Sequence, residues 1–297
     1  MKKCNLCPRM CGIDRTAGET GYCRMPAGLY IARAALHHWE EPCIAGSHGA
    51  GAVFFTGCNM RCVFCQNYEI SGGECASSKE VSTDKLADIF LDLQSQGADS
   101  IDLVTPTHYM PAIGEALDAS KAKGLHLPVA YNCSGYERKE VIEELEPYVN
   151  AYMPDFKYWS DDTAAAYSNA PNYVSYAKAA LSEMVSQKKL AFDDNGIMTS
   201  GVLVRHLVLP GHTKESIALL HYLADTFGDD IYISILGQYT PISRVLSDSN
   251  LGRRLTRREY DKVVDAAIEI GLENVYIQDI SSASSSFTPD FDGTGIM

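Results

Sequence analysis

The feature that most constrains the fold of this chain is a regular alternation of apolar strand patterns and amphipathic helix patterns from residue 51 to residue 277. Apolar runs that predict strands lie at 51–57, 100–104, 125–131, 150–156, 202–209, 230–236 and 274–277. Apolar residues from Leu86 to Leu93 recur at i, i+3, i+4 and i+7, which predicts a helix. Repeated units of this kind favour a parallel sheet with crossover helices. We therefore expect an α/β fold with a full or partial TIM-like (β/α) barrel.

Several helices are marked by their own patterns and end signals. Helical patterns cover residues near 113–117, 137–145, 161–188 and 217–227. Thr256 and Glu259 have the spacing of a capping box and predict the start of a further helix, with Gly271 as its C-terminal cap.

The composition divides the chain into three predicted parts. Residues 1–28 contain four cysteines, two prolines and four glycines without a sustained period, which predicts a small Cys-rich metal-binding module. Residues 29–280 are predicted to form the barrel and begin with an apolar run at 29–36. Residues 281–297 begin with serines and are predicted to form a C-terminal tail over the surface.

The overall charge excludes several classes of partner. The chain has 25 Lys and Arg against 38 Asp and Glu, a net charge of −13, which argues against nucleic acid as a partner. No apolar run approaches the roughly 18 residues of a membrane span, and the N-terminus lacks the apolar segment of a signal peptide. We therefore expect a cytoplasmic protein with no membrane partner. Ten cysteines in that reducing compartment indicate metal or redox chemistry rather than disulfides.

The spacing C-x3-C-x2-C of Cys58, Cys62 and Cys65 follows the strand pattern 51–57 directly, where barrel enzymes place their sites. Three thiolates bind three irons of a 4Fe-4S cluster and leave the fourth iron open. An open iron can chelate the amino and carboxylate groups of S-adenosylmethionine and pass an electron to its sulfonium, which releases a 5′-deoxyadenosyl radical. A zinc site is the alternative, but structural zinc takes four ligands and C-x2-C pairs.

A second cysteine group has the spacing C-x2-C-x3-C-x11-C and consists of Cys4, Cys7, Cys11 and Cys23. Four ligands make a closed site that suits either structural zinc or a second iron–sulfur cluster, and the spacing does not separate these two metals. Cys43 and Cys75 have no assigned role.

At these motifs the sequence resembles the radical SAM superfamily, and specifically its pyruvate formate-lyase activating enzyme-like branch. Phe64 matches the aromatic residue that the family places before the third cysteine. The resemblance extends from about Leu29 to Ile277 through the phrases GAVFFTGCNMRCVFCQN, NCSGY, PDFKYW and RHLVLPG. It implies a barrel of the radical SAM type and an oxidoreductase with a 4Fe-4S cluster and S-adenosylmethionine as cofactors. It also implies a glycyl-radical enzyme as target and an electron donor such as flavodoxin or ferredoxin.

The resemblance also suggests residues that bind the cofactor. Asp155 and Lys157 match a strand with an Asp and a Lys two positions apart, and such side chains share one strand face. They are candidates to hold the cofactor's carboxylate, a substrate amide or a cation, with a salt bridge at the rim as the alternative. Arg205 matches the Arg of the family's fifth strand. Its neighbour His206 must face the other way and is expected to be an ordinary buried histidine.

In two places the chain departs from the family pattern. Asn132, Ser134 and Gly135 follow the third predicted strand and resemble the activase turn that approaches the cofactor. Where related activases carry an acidic residue and a threonine, this chain has Asn132 and Cys133, so a monovalent-cation site is not expected. Gly72-Gly73-Glu74 has the letters of the cofactor-binding Gly-Gly-Glu segment but precedes the first helix, and we expect an exposed turn. Thr107, His108 or the backbone is the candidate replacement. Gln238 and Tyr239, after the sixth strand, are further cavity candidates, with rim packing as the alternative.

Three functions remain open at the level of sequence. The first is a radical enzyme that activates a glycyl-radical enzyme. The second uses the same radical on another peptide or a small molecule. The third, of a different class, is an electron-transfer iron–sulfur protein, although three cysteines in place of four argue against a simple relay.

Overall fold

The frame that positions the site is a mostly parallel sheet, seen in a computed structural model that describes residues 3–280 and 288–296. The strands are β1 (Leu29–His37), β2 (Ala50–Phe55), β3 (Lys79–Val81), β4 (Ser100–Val104), β5 (Val129–Cys133), β6 (Ala151–Pro154), β7 (Ala191–Phe192), β8 (Met198–Leu207), β9 (Tyr232–Leu236) and β10 (Val275–Ile277). The helices are α1 (Pro42–Ala45), α2 (Tyr68–Ser71), α3 (Thr83–Ser95), α4 (Met110–Ala122), α5 (Lys139–Leu145), α6 (Asp161–Ser168), α7 (Tyr173–Gln187), α8 (Thr213–Phe227) and α9 (Arg257–Ile270).

The sheet has the order β10-β9-β8-β6-β5-β4-β2-β1-β3, with β7 paired to β8. From β2 to β10 along this path, neighbouring strands are parallel. At the other end, β1 pairs antiparallel with β2 and β3 pairs antiparallel with β1. Within the described residues the path ends at β10 and β3, so the barrel is partial. The predicted α/β barrel fold is confirmed.

Side chains alternate between the two faces of the sheet. On β4, Ile101 and Leu103 belong to the main apolar core with α3 and α4, whereas Asp102 between them is fully buried on the opposite face. On β8, Val204 joins the outer core in the same way and Arg205 faces inward. The alternation therefore puts apolar residues under the helices and polar residues inside the barrel.

The short helix α1 fills the amino-terminal end of the barrel. Its residues Cys43 and Ile44 pack in one cluster with Ala50, Ala130 and Ala151 from three different strands. Small alanine side chains leave room for a helix between strands. The segment before α1 is therefore held close to the polar interior.

Two differences between the predicted and the observed elements occur at a proline. The helical pattern 161–188 is two helices, because α6 ends at Ser168 with Asn169 in the left-handed conformation before Pro171. The strand predicted from residue 125 begins only after Pro128, which has no N–H to donate to a neighbouring strand. The capping box at Thr256 and the cap at Gly271 are confirmed.

The described segment 288–296 packs on the barrel. In the C-terminal segment, the N–H of Gly293 donates to the carbonyl of Ala32, and the N–H of Ala34 donates to the carbonyl of Thr294. Part of the predicted tail, residues 281–287 with its serines and residue 297, lies outside the described residues. The boundaries at residues 28 and 280 stay predictions. Among the helices described here, none has the length and apolar character needed to cross a membrane.

We expect Thr256→Ala to destabilise the protein, because the Thr256 hydroxyl accepts from the N–H of Glu259 at the start of α9. The loss of such an N-cap costs about 1 kcal/mol. Lys262→Ala, at an exposed position of the same helix, is the matched control and should leave the urea midpoint unchanged. Equal midpoints for the two variants would contradict the assignment.

Candidate active site

The three cysteines of the C-x3-C-x2-C motif lie in the loop after β2, at the carboxyl end of the parallel strands. The N–H of Met60 donates to Sγ of Cys58 at 3.3 Å, and the N–H of Cys65 donates to the carbonyl of Cys62 at 3.1 Å. Cys62 is buried, and the other two are half-buried. One short loop thus presents three sulfur donors.

The entry to this loop requires a glycine. Gly57 has φ +90°, and a Cβ atom there would overlap the side chain of Met25 and lie 2.8 Å from the carbonyl oxygen of Cys23. Glycine alone reaches this conformation without strain and without that collision. The N-terminal segment therefore packs directly against the start of the cysteine loop.

The protonation of the cysteines bears on what they can bind. Burial raises the pKa of the Cys58 thiol to about 12 and that of Cys65 to about 11, and the neighbouring Cys62 adds to both shifts. The positive charge of Lys157 acts in the opposite direction and favours a thiolate at Cys65. Cysteines bind metal as thiolates, so cluster binding here releases protons.

The donor chemistry of the loop fits an iron–sulfur cluster. Cysteine thiolates are the usual ligands of such clusters, and hydrogen bonds to their sulfurs tune them. Among the residues that the structure describes, no three or more His, Cys, Asp or Glu side chains are already arranged around one metal position. The fit therefore rests on the donor type, the spacing and the position of the loop.

Phe64, the aromatic residue before the third cysteine, is buried in a ring of tyrosines. Its ring centroid lies 6.4 Å from those of Tyr158 and Tyr167 and 6.1 Å from that of Tyr239, all in edge-to-face geometry. Tyr239 itself donates from its hydroxyl to the carbonyl of Leu251 at 2.6 Å. Phe64 and Tyr239 thus anchor the cysteine loop by packing.

A cavity of about 220 Å³ opens from this loop into the barrel. Cys62 and Cys65 line it at one end, and a segment between β1 and α1 lines it at the other. The predicted site residues that line it are Phe64, Asn132, Asp155, Lys157, Arg205 and Gln238. Side chains from six strands (β1, β2, β4, β5, β8 and β9) and from the loops beside them therefore share one space.

Arg205 is the centre of the polar network in this cavity. Its Nε atom donates to Asp155 Oδ1 at 3.0 Å, one Nη donates to Asn132 Oδ1 at 2.7 Å, and the other donates to Glu40 Oε2 at 3.1 Å. Lys157 forms an ion pair with the second oxygen of Asp155. The i, i+2 spacing predicted that Asp155 and Lys157 share a face, and both side chains line this cavity.

The charges of this network stabilise one another. Burial alone would raise the pKa of Asp155, but Arg205 and Lys157 outweigh it and hold that pKa below its usual value. Burial alone would lower the pKa of Arg205, but the nearby carboxylates, Asp155 first, raise it. Asp155 is therefore ionised and both cations are charged at neutral pH.

Two acidic residues near the cavity, Glu41 and Asp102, were not predicted from the sequence as site residues. Burial raises the pKa of Glu41 to about 7, and burial raises that of Asp102 well above its usual value. Glu41 Oε2 and Asp102 Oδ1 are buried without a hydrogen-bond partner in the described part of the chain. A signal existed for Asp102, since it is a charge inside an apolar strand, as Arg205 is. Glu41 lies in a loop, and its sequence context carried no such signal.

The remaining candidates contact other parts of the molecule. Thr107 donates to Glu137 Oε1 at 2.9 Å, and His108 bonds through Nε2 to the carbonyl of Thr56 at 2.8 Å. Neither lines the cavity of Arg205. Ser134 donates to the side-chain oxygen of Asn59 at 3.0 Å, so it supports the cysteine loop.

His206 and the Gly-Gly-Glu letters behave as ordinary structural residues. His206 is buried and bonds to the carbonyl of Phe156 at 2.7 Å and to Ser216 Oγ at 2.8 Å. Glu74 is exposed and pairs with Arg24 at 2.9 Å. Cys133 is buried in the outer core, and Cys43 belongs to the α1 cluster.

Comparison with known proteins defines the family. A family model described as the radical SAM superfamily matches residues 52–223. Two uncharacterized proteins of Methanocaldococcus jannaschii are 26% and 25% identical to this chain. The alignments cover 93% and 94% of this chain and 77% and 81% of those two proteins.

Among solved structures, the FeFe-hydrogenase maturase HydG from Carboxydothermus hydrogenoformans is similar in fold. Its TM-score is 0.52 at 15% identity, with 74% of this chain and 50% of the HydG chain covered. This chain therefore spans about half the length of HydG, and the similarity concerns the fold alone.

A partial (β/α) barrel with three closely spaced cysteines after its first parallel strand is typical of enzymes that use an iron–sulfur cluster. The family model covers more than half of the chain. The chain belongs to the radical SAM superfamily. Membership implies an enzyme with a 4Fe-4S cluster and S-adenosylmethionine as cofactors.

Glu137 provides a test of the buried polar groups beside the site. Burial raises its pKa to about 8 from an ordinary 4.5. The folded protein thus holds this proton more tightly than the unfolded chain, and the resulting stability is present below the unfolded pKa and is lost as the pH rises towards 8. Glu137→Gln should flatten this loss, whose slope for one proton is at most about 1.4 kcal/mol per pH unit.

The measurement is the urea midpoint at several pH values between about 5 and about 8.5, the range over which the raised carboxyl loses its proton. Glu144→Gln, at an exposed position of α5, is the matched control and should keep the wild-type slope. An unchanged slope in Glu137→Gln would show that this carboxyl is not held protonated by burial.

Proposed function

We propose that this radical SAM enzyme is of the pyruvate formate-lyase activating enzyme-like type, and that it abstracts hydrogen from a glycine of a partner enzyme. The observation that carries the proposal is the cavity that joins the cysteine loop to Asp155, Lys157 and Arg205. These three residues are among those through which the sequence resembles that branch.

In this proposal, the bound cofactors supply the radical chemistry. A 4Fe-4S cluster, when bound at Cys58, Cys62 and Cys65, supplies the electron that cleaves S-adenosylmethionine to methionine and a 5′-deoxyadenosyl radical. The remaining work belongs to the protein. In this proposal, Lys157 holds the cofactor's carboxylate, while Asp155 keeps Lys157 and Arg205 in place through its two oxygens.

The interior of the barrel suits a reactive radical because it is enclosed and ordered. Asn132 bridges Arg205 and Asp102, accepting from the former at 2.7 Å and donating to the latter at 3.3 Å. Side chains fixed on rigid strands hold a substrate more precisely than loops do. Gln238 lines the same cavity and is proposed as a further contact to the cofactor.

The proposal extends to the partners and the compartment. A glycyl-radical enzyme is the proposed target, and a flavodoxin or ferredoxin is the proposed electron donor, in the cytoplasm. A radical enzyme that modifies another peptide or a small molecule uses the same cavity and is the second candidate. An electron-transfer protein has no use for a buried set of charges beside its cluster.

The first prediction concerns cofactor cleavage. Anaerobically reconstituted and reduced protein should form 5′-deoxyadenosine from S-adenosylmethionine, measured by liquid chromatography with mass detection. Cys58→Ala should abolish product formation because it removes one cluster ligand. Cys75→Ala is the matched control, since Cys75 lies outside both cysteine groups and bonds to Ser77 Oγ at 3.1 Å. If the wild-type protein formed no more 5′-deoxyadenosine than Cys58→Ala, the radical function would be excluded.

The second prediction concerns Asp155. Asp155→Asn should weaken binding of S-adenosylmethionine on the order of tenfold or more, because a charge-assisted bond contributes about 1.5–3 kcal/mol. The measurement is the titration of the reduced cluster's electron paramagnetic resonance signal with the cofactor. Asp162→Asn, at an exposed position of α6, is the matched control. Unchanged affinity with an unchanged melting temperature would remove Asp155 from the cofactor site.

The glycine target is tested separately from cofactor cleavage. A copurifying glycyl-radical enzyme produced with deuterated glycine should transfer deuterium to 5′-deoxyadenosine during the reaction. Cleavage of the cofactor without deuterium transfer from that enzyme would favour the second candidate, a different peptide or small-molecule substrate.

A further inference from the structure

The four N-terminal cysteines surround one enclosed space. Cys4, Cys7, Cys11 and Cys23 line a single cavity of about 10 Å³, and His108 lines it as well. Cys7 and Cys23 are buried, whereas Cys4 and Cys11 are half-buried. Residues up to 19 positions apart in sequence thus line the same cavity.

Another donor is available at this cavity. The His108 side chain is 2% exposed, and its Nδ1 atom has no hydrogen-bond partner among the described residues. Its Nε2 atom bonds to the carbonyl of Thr56 at 2.8 Å, just before the radical SAM loop. A buried neutral imidazole nitrogen without a partner is a good metal ligand.

The segment that contains these cysteines has little else to give it a shape. Between residues 3 and 28 the structure has only a three-residue turn of helix, Arg15–Ala17, and its buried side chains besides cysteine are few. A segment of this size needs a metal or a disulfide to keep one conformation. All ten cysteines are free thiols, so a metal is the available device.

Arg9 lies between the second and third of these cysteines and binds the radical SAM loop. Its Nε atom donates to the carbonyl of Asn59 at 2.8 Å, directly after Cys58. Its two other nitrogens donate to the carbonyls of Ser168 and Asn169 at the end of α6. One guanidinium thus ties the N-terminal segment to the loop and to a helix of the barrel.

Tyr22, next to the fourth cysteine, completes this contact. The Arg9 guanidinium lies 3.6 Å from the centre of the Tyr22 ring, and Arg61 from the radical SAM loop donates to the carbonyl of Tyr22 at 3.2 Å. The Tyr22 hydroxyl donates to the carbonyl of Met60 at 3.4 Å. Two residues that lie between cysteines of the N-terminal group therefore hold the backbone between Cys58 and Cys62.

We propose that the four N-terminal cysteines bind a thiolate-ligated metal centre whose role is to hold Arg9 and Tyr22 against the radical SAM loop. The centre thus acts as a clamp that positions Cys58 for its cluster. Zinc and an iron–sulfur cluster share the required ligand chemistry. The clamp role rests on the proposed function, because it concerns the cluster at Cys58, whereas the metal site does not.

The two metals make different demands on the site. The small cavity favours a single ion, although no three His, Cys, Asp or Glu side chains of the described residues are already arranged around one metal position. Both metals use four cysteines, and binding either of them requires the sulfurs to adjust around it. The assignment therefore rests on the four cysteine ligands, and metal analysis distinguishes zinc from an iron–sulfur cluster.

The first experiment measures metal in full-length protein in which Cys58, Cys62 and Cys65 are replaced by alanine. About one zinc per chain or about four irons per chain would each support the site and identify its metal. Adding Cys4→Ser and Cys7→Ser should remove that metal, and adding Cys75→Ser should not. A preparation without stoichiometric zinc or iron, or metal that survives loss of Cys4 and Cys7, would overturn the proposal.

The second experiment tests the clamp with the cysteines of the radical SAM loop intact. Arg9→Gln should make iron loss from the loop to a chelator several-fold faster and should change the electron paramagnetic resonance spectrum of the reduced cluster. Arg9→Lys should restore part of the effect, because it keeps the charge. Arg24→Gln is the matched control, since Arg24 is an exposed arginine of the same segment paired with Glu74.

The outcomes separate this proposal from the proposed function. Suppose that the wild-type cluster cleaves S-adenosylmethionine and that Arg9→Gln has the same spectrum and the same rate of iron loss as Arg24→Gln. This result would overturn the clamp and leave the radical function intact. An absent cluster at Cys58 would overturn the radical function, while the metal analysis of the triple variant still decides the N-terminal site.

Discussion

Burial of the Arg205 guanidinium is the constraint on which the interior of this barrel depends. A cation inside a barrel is tolerated only when it is paired and hydrogen-bonded, and Arg205 finds partners in Asp155, Asn132 and Glu40. These partners come from the residue directly after β6, from β5 and from the segment before α1. One side chain thus fixes the relative positions of two neighbouring strands and of the segment that fills the end of the barrel.

The same constraint organises the site. With Asp155 held by Arg205, its second oxygen orients Lys157, which lies close enough to Cys65 to favour a thiolate there. The cysteine loop is fixed from the other side by aromatic packing around Phe64 and by the N-terminal segment through Arg9. The cavity therefore lies between the charged side chains of Asp155, Lys157 and Arg205 and a cysteine loop that is held on both sides. This arrangement is suited to keeping a reactive intermediate near one substrate atom.

Parts of the site were predictable and parts were not, for identifiable reasons. Arg205 stood out as a charge within an apolar strand, and the i, i+2 spacing put Asp155 and Lys157 on one face. Asp102 carried the same signal as Arg205 but was overlooked. Thr107 and His108 were predicted from the family's chain order, yet they lie away from the main cavity, because the turn after β4 directs them towards Glu137 and the N-terminal cysteines.

The sequence by itself determined the local elements and the cysteine chemistry, because hydrophobic period, capping residues and ligand spacing are properties of neighbouring residues. It also implied a parallel barrel, since alternating strands and helices leave few other arrangements. Only the tertiary structure decided which charges share a cavity, that α1 fills the barrel end, and that the N-terminal cysteines meet beside the radical SAM loop. Those contacts join residues far apart in the chain, and they depend on strand register and packing, which no short window of sequence contains.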